Sequence, residues 1–236
     1  MTVLPHTFEP DDPAAPPIGL IALQTDETIE PELQRYFRDH PSPIYVSRIP
    51  SGAEVTPESL AAMAAHLAAS ADLLPKARPY PVVAYGCTSA SSIIGSERVE
   101  ALVRQRCDAR VVTNPLRATV ACAAAHGVSR LALLSPYIEE VNRPLRDAFL
   151  RAGLTTDVFG TFGEAEEAKV VRISTASVVD AGIALGSDPT VDALFMSCTN
   201  LRTYAAIPRI AERIGKPVFS SNQALAWHVE RLLPAR

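Results

Sequence analysis

Two short stretches of this chain carry residues that could do chemistry. One is Val82-Val83-Ala84-Tyr85-Gly86-Cys87-Thr88-Ser89; the other is Ala193-Leu194-Phe195-Met196-Ser197-Cys198-Thr199-Asn200. Each is an apolar run of strand length that stops at a cysteine followed by a threonine and a second small polar residue. In a parallel α/β sheet, the residue just past a strand's carboxyl end lies in the ligand crevice. Two thiols facing one substrate carbon, Cys87 and Cys198, can take a proton from one face and return it on the other. Alternatively, one adds covalently while the other donates a proton. A cysteine at the start of a helix also gains from the backbone dipole, which favours thiolate over thiol. Thr88, Ser89, Ser91, Ser92, Thr199 and Asn200 offer hydroxyl, amide and backbone N–H donors to hold a carboxylate and the charge that develops beside it. The expected site works on a small molecule without metal or organic cofactor.

The other reactive residue types read differently. Cys107 and Cys122 fall inside helical patterns and read as small buried hydrophobes. His126, near a helix end, and His228, in the last helix, read as capping or packing residues. Glu164, Glu166 and Glu167 read as a solvated helix start from which one carboxylate could face the site. The sequence contains no His-x-x-x-His or Cys-x-x-Cys, so no protein metal site is indicated. Neither G-x-G-x-x-G nor G-x-x-x-x-G-K-[ST] occurs, so neither dinucleotide nor nucleoside triphosphate is expected.

The elements that must position the two cysteines alternate along the chain. After an irregular lead-in over 1–17, with five prolines, strands are expected at 18–23, 44–49, 81–86 and 110–113, separated by helices at 31–39, 57–74 and 96–107. A helix over 115–126 leads to the second half. There, strands are expected at 130–135, 155–159, 191–196 and 217–219, with helices at 136–152, 164–169, 174–185, 202–214 and 222–233. Alternation of this kind means βαβ units and parallel sheets. It also hides a coarse repeat: Asn114 of a Thr113-Asn114 pair lies 27 residues after Cys87, and Asn222 of a Ser221-Asn222 pair lies 24 after Cys198. Two similar halves, each delivering one thiol to a shared site, is the architecture this predicts.

Composition sets the outer bounds. A chain of 236 residues, 47% hydrophobic and 20% charged, can bury a sizeable core without disulfides or metal. A formal charge of −4 argues against nucleic acid or an anionic membrane as the main partner, since both select basic patches. No segment has the roughly 18 to 20 continuous apolar residues that span a bilayer. The acidic, proline-broken N-terminus does not read as a secretory signal. A cytoplasmic protein with reduced thiols is expected.

The sequences around both cysteines resemble the Asp/Glu racemase superfamily. Leu134-Ser135-Pro136-Tyr137-Ile138-Glu139-Glu140-Val141-Asn142 narrows the likeness to the branch of maleate cis–trans isomerase and arylmalonate decarboxylase. Three segments, 86–91, 112–117 and 220–228, are most similar to the racemase-like proteins of bacterial ectoine-utilisation clusters. The resemblance covers nearly all of the chain after residue 17. It implies two flavodoxin-like lobes related by a pseudo-twofold axis, divided as 18–115 plus 220–236 and 116–219, with the active site in the cleft between them. It implies Cys87 as nucleophile, Cys198 as acid/base and Tyr137 as a ligand for a substrate carboxylate. The substrate class is a small carboxylic acid and the assembly a homo-oligomer, dimer or tetramer. The decarboxylases of this branch keep only the second-lobe cysteine, so the pair favours an isomerase or racemase over a decarboxylase. A non-catalytic sensor that retains the cleft is the alternative from another class. Two positions depart from the isomerase pattern, with Asp26 and Glu167 standing where neutral asparagines are expected to bind substrate. A carboxylate there would repel a substrate carboxylate or need a proton, which points to a cationic or donor group on the ligand, as in an amino acid or an ectoine-derived compound.

Overall fold

The computed structural model describes residues 1–13 and 15–234. Residues 235 and 236 of the expected first lobe lie outside the described residues. Every sheet pairing between the strands is parallel, and the strands form two four-stranded sheets. In the first, β1 (Ile18–Leu23), β2 (Ile44–Ile49), β3 (Tyr80–Gly86) and β4 (Ala109–Thr113) are ordered β2-β1-β3-β4. In the second, β5 (Leu131–Tyr137), β6 (Phe159–Glu164), β7 (Ala193–Met196) and β8 (Val218–Ser220) are ordered β6-β5-β7-β8. The second order repeats the first, strand for strand, and both follow the start of the flavodoxin-like arrangement. β1 and β5 are buried at every residue, which is why β1 and the Leu131–Leu134 part of β5 read as unbroken apolar runs.

The helices follow in order. The first half holds α1 (Ile29–Tyr36), α2 (Pro57–Ala62), α3 (Leu67–Asp72), α4 (Thr88–Ile94) and α5 (Ser96–Arg104). Then come α6 (Pro115–Ala125), α7 (Glu139–Arg151), α8 (Glu167–Val170), α9 (Thr175–Gly186), α10 (Ala206–Ile214) and α11 (Ser221–Leu232). α11 packs on α6 and also on α1, β3 and β4, so the end of the chain returns to the first sheet. One apolar cluster accordingly mixes both halves. Ile18 and Leu20 of β1, Leu131 and Leu133 of β5, Phe195 of β7 and Leu225 of α11 all belong to it.

Three expected elements differ. The strand expected at 155–159 lies later, as β6; only Thr155 bridges Arg130 at the earlier position. β6 is an edge strand placed by close packing rather than by an apolar run, since a Cβ at Gly160 would sit 2.8 Å from Leu185 Cδ1 of α9. The long helix expected over 57–74 is broken by a single 3₁₀ turn, Met63–Ala65. The helix expected from 202 begins only at Ala206, because the amides of Thr203 and Tyr204 are taken up by a carboxylate, described below.

Phe149 of α7 and Phe195 of β7 meet edge to face, 5.5 Å between centroids, both fully buried. Phe149→Ala removes this contact. It is expected to lower unfolding free energy in urea by about 3–5 kcal/mol, and a loss under about 1 kcal/mol would show that this core is not tightly packed.

Candidate active site

Cys87 follows β3 directly and caps α4. Its Sγ accepts from the Ala90 N–H at 3.4 Å, and its carbonyl accepts from the Ser91 hydroxyl at 2.5 Å. The residue before it has to be small. A Cβ on Gly86 would lie 2.5 Å from Ile29 Cδ1, so glycine lets the strand end run close beneath α1.

Cys198 follows β7 but is not at a helix start. It has φ 97°, the one positive φ outside glycine among the described residues. A side chain in this region stores strain that the surroundings must hold. They do so with a Cys198 N–H bond to Ser221 Oγ at 3.0 Å, an Asn200 N–H donated to Sγ at 3.2 Å, and the Tyr137 hydroxyl at 2.9 Å from Sγ. The two cysteine loops adjoin directly. The Thr199 hydroxyl donates to the Gly86 carbonyl at 3.2 Å, and Ser221 Oγ, which holds Cys198, is 2.7 Å from Thr88 Oγ1. The repeat thus brings its two thiols to one place.

Polar groups from both halves close around them. The Tyr137 hydroxyl, at the end of β5, donates to Glu167 Oε1 at 2.6 Å, and Asn200 Nδ2 donates to Glu167 Oε2 at 2.8 Å. Asn200 also reaches back to the loop after β1: its Oδ1 accepts from Glu27 N–H at 2.9 Å and its carbonyl from the Thr28 hydroxyl at 3.0 Å. Asp26, in that loop, accepts the Thr28 and Ile29 N–H groups on Oδ1 at 2.7 and 2.8 Å, which caps α1. Its Oδ2 is buried without a hydrogen bond. Thr199 lies near enough to temper the Asp26 charge, but its hydroxyl is donated to Gly86. Asp26 is 2% exposed, Glu167 4% and both cysteines 5% or less, so the group is sealed from solvent. The cover comes from both halves. Val55 N–H bonds Ala165 O at 2.7 Å and Glu167 N–H bonds Ala53 O at 3.1 Å, while Arg172 pairs with both carboxylate oxygens of Glu27 on the outside.

Asp26, Cys87, Thr88, Ser89, Tyr137, Glu167, Cys198, Thr199 and Asn200 are all buried, whereas the other two expected donors, Ser91 and Ser92, give their hydroxyls to the Cys87 and Ser89 carbonyls and Ser92 is only part-buried. Of the three glutamates read as a solvated helix start, Glu164 and Glu166 keep contact with solvent and Glu167 turns inward. The remaining candidates stay outside. His126 is exposed, its Nδ1 on the Cys122 carbonyl at 2.8 Å, and His228 meets Thr113 at 2.9 Å. Sequence reasoning missed two supports. Ser221, noticed only as part of the repeat, joins the two cysteine loops. Glu32 of α1, which no sequence signal singled out, is buried; it accepts the Thr203 and Tyr204 N–H groups at 3.0 Å each and Asn222 Nδ2 at 2.9 Å. The two asparagines of the repeat differ in role, since Asn114 caps its own helix while Asn222 braces Glu32 and the Thr199 carbonyl.

The expected dipole-favoured thiolates are not found in this closed arrangement. Burial pushes the Cys87 thiol up to about 12, with the Glu167 and Asp26 charges adding to it and the Ala90 N–H opposing. Burial, then the Glu167 charge, raises Cys198 well above its ordinary value. A helix of seven residues and a turn cannot offset the loss of water around sulfur.

Two parallel α/β halves that each place a cysteine in a common buried cluster define an Asp/Glu racemase-like protein. The sequence matches the arylmalonate decarboxylase family over residues 49–235, and the chain belongs to that family. Over 109 residues it is 35% identical to the arylmalonate decarboxylase of Bordetella bronchiseptica, a match that spans 46% of this chain and 45% of that protein. Among solved structures, the Nocardia farcinica maleate cis–trans isomerase bound to TRIS superposes with a TM-score of 0.80 at 26% identity over 92% of both chains. A cysteine-to-serine mutant of that isomerase, carrying a covalently bound succinylcysteine intermediate, gives 0.80 at 25% over 92% of both. A liganded double mutant of arylmalonate decarboxylase gives 0.81 at 27%, again over 92% of both.

Burial also raises the Asp26, Glu32 and Glu167 carboxyls above their ordinary range. An acid with a higher pKa folded than unfolded binds its proton more tightly in the native state. Its stabilising contribution is complete below the unfolded pKa and is lost as pH climbs through the folded one. The urea midpoint is therefore expected to fall as pH rises from about 4 to 4.5, the ordinary carboxylate range, toward neutrality. The double variant Asp26→Asn/Glu167→Gln should flatten that slope; a midpoint that rises across this window in both proteins contradicts the burial argument.

Proposed function

We propose that the chain is a cofactor-independent isomerase or racemase that uses Cys87 and Cys198 on one small carboxylic acid. The observation that carries this reading is the convergence of one thiol from each half, joined through Thr199–Gly86 and Ser221–Thr88. In the isomerase form, the Cys87 thiolate adds to one carbon of a double bond, and the displaced electron pair takes the proton of Cys198 at the neighbouring carbon. Rotation about the new single bond, return of a proton to Cys198 and expulsion of Cys87 then give the trans product. In the racemase form, one sulfur takes the proton beside the carboxylate and the other returns one to the opposite face. The presence of a thiol in each half supports these two-sulfur reactions over a one-thiol decarboxylation.

The substrate carries a cationic or hydrogen-bond-donating group as well as its carboxylate. Asp26 Oδ2 supports this, being a buried acceptor with no hydrogen bond inside the cluster. A cation placed against it would offset the Asp26 charge, which adds to burial and the Glu167 charge in raising both thiols, so binding itself would favour the reactive thiolate. An amino acid or an ectoine-derived compound fits this requirement better than maleate. Such an enzyme would act in cytoplasmic catabolism as a homo-oligomer.

Candidate acids incubated in deuterated water test the reading. Racemisation incorporates deuterium at the stereocentre, isomerisation changes the cis–trans ratio, and both should drop at least about 100-fold in Cys87→Ser and Cys198→Ser. Release of carbon dioxide with Cys87→Ser still active would instead make this a one-thiol decarboxylase. Ligand-induced stabilisation without turnover would make it a sensor.

A further inference from the structure

Glu167 was expected to touch the ligand, but its hydrogen bonds point elsewhere. Both of its oxygens are taken within the protein, Oε1 by the Tyr137 hydroxyl at 2.6 Å and Oε2 by Asn200 Nδ2 at 2.8 Å. A phenol has one proton to give. Since Tyr137 gives it to Glu167, the 2.9 Å contact between the Tyr137 oxygen and Cys198 Sγ is a thiol donating to the phenol. The result is a continuous, directed line of hydrogen bonds from Cys198 through Tyr137 to Glu167. Asn200 serves both ends of that line, its backbone N–H donating to Sγ at 3.2 Å and its side chain to the carboxylate.

We propose that Cys198 and Glu167 form one proton-sharing pair bridged by the Tyr137 hydroxyl, with Glu167 as the positioning residue that keeps Cys198 a thiol at rest. When Cys198 is to act as a base, its S–H bond breaks as the proton passes to the Tyr137 oxygen. The Tyr137 proton passes at the same time to Glu167 Oε1. Negative charge moves from carboxylate to sulfur and no proton leaves the pair. Asn200 stabilises either charge location. The remaining titratable groups facing this unit among the described residues are Asp26, from the loop after β1, and Cys87, ahead of α4; Arg48 donates to the backbone carbonyls of Leu23 and Asp26, and Arg172 pairs with Glu27 on the outside of the same loop. Coupling of this kind gives two titration steps that belong to the pair rather than to either group. The coupling stands without any reading of the reaction, whereas its use during turnover rests on the proposed two-thiol chemistry.

The test needs no substrate. In a Cys87→Ser parent, iodoacetamide labelling of Cys198 is followed by peptide mass spectrometry across pH. The labelling rate should rise in an acid step as Glu167 ionises, hold level, then rise again as the thiol loses its own proton. In Cys87→Ser/Glu167→Gln the level region should vanish. At a pH within that region, the Gln variant should label about tenfold faster or more, because removing the carboxylate charge lowers the thiol pKa. Glu167→Asp, which keeps the charge, should retain two steps. Ultraviolet absorbance of the thiolate on the same proteins follows the upper step without reagent access, and that step should move down in the Gln variant. A single step in the parent, or an upper step unmoved by Glu167→Gln, overturns the proposal.

Discussion

The constraint on which this structure depends is the removal of four acidic groups from water in one place. Asp26, Cys87, Glu167 and Cys198 are all buried, and among the described residues none of their carboxyl or thiol groups is hydrogen-bonded to a lysine or arginine side chain, Arg48 reaching only the backbone carbonyl of Asp26. A buried charge without a partner is costly, so such a cluster persists only if neutral donors satisfy it or protons remain on it. Both occur. Backbone N–H groups at the start of α1 hold one Asp26 oxygen, Tyr137 and Asn200 hold Glu167, and the sulfurs stay protonated.

Much of the fold follows from meeting that constraint with two copies of the same plan. Strand order repeats between halves, but the donors do not, because the second half supplies Tyr137, Asn200 and Ser221 while the first supplies the Asp26 loop. Glu32 extends the same solution one layer outward by collecting the amides of the 203–204 turn and Asn222. Duplicated topology with divided polar roles explains how two similar halves can treat the two faces of one molecule differently.

The fold and the two thiols were legible in the sequence because buried parallel strands read as apolar runs and each stops abruptly at its cysteine. Thr199 and Asn200 were legible for the same reason, sitting just past a strand end, whereas Tyr137 was expected from the family resemblance alone, because β5 runs two residues beyond the expected strand of 130–135. Asp26 was visible only as a departure from a family pattern and Glu167 as that and as one of three glutamates at a helix start, and the hydrogen bonds of neither could be read. Nothing local separates a glutamate that turns inward from its exposed neighbour Glu166. Glu32 was missed because its partners lie more than 170 residues away, and the strand at 155–159 was misplaced because β6 is fixed by Gly160 against Leu185 rather than by its own apolarity. The thiolate expectation failed on magnitude, as local dipoles were weighed without the desolvation that burial brings.

The central claim is that Cys87 and Cys198, whose loops are joined through Thr199–Gly86 and Ser221–Thr88, act on one and the same small molecule. It is tested most directly by intact-mass analysis after exhaustive iodoacetate treatment, in a protein whose Cys107 and Cys122 are replaced by alanine. The account predicts one carboxymethyl group per chain, found on Cys87 in some molecules and on Cys198 in others, because the first group fills the shared site. Chains carrying the label on both cysteines at once would contradict it.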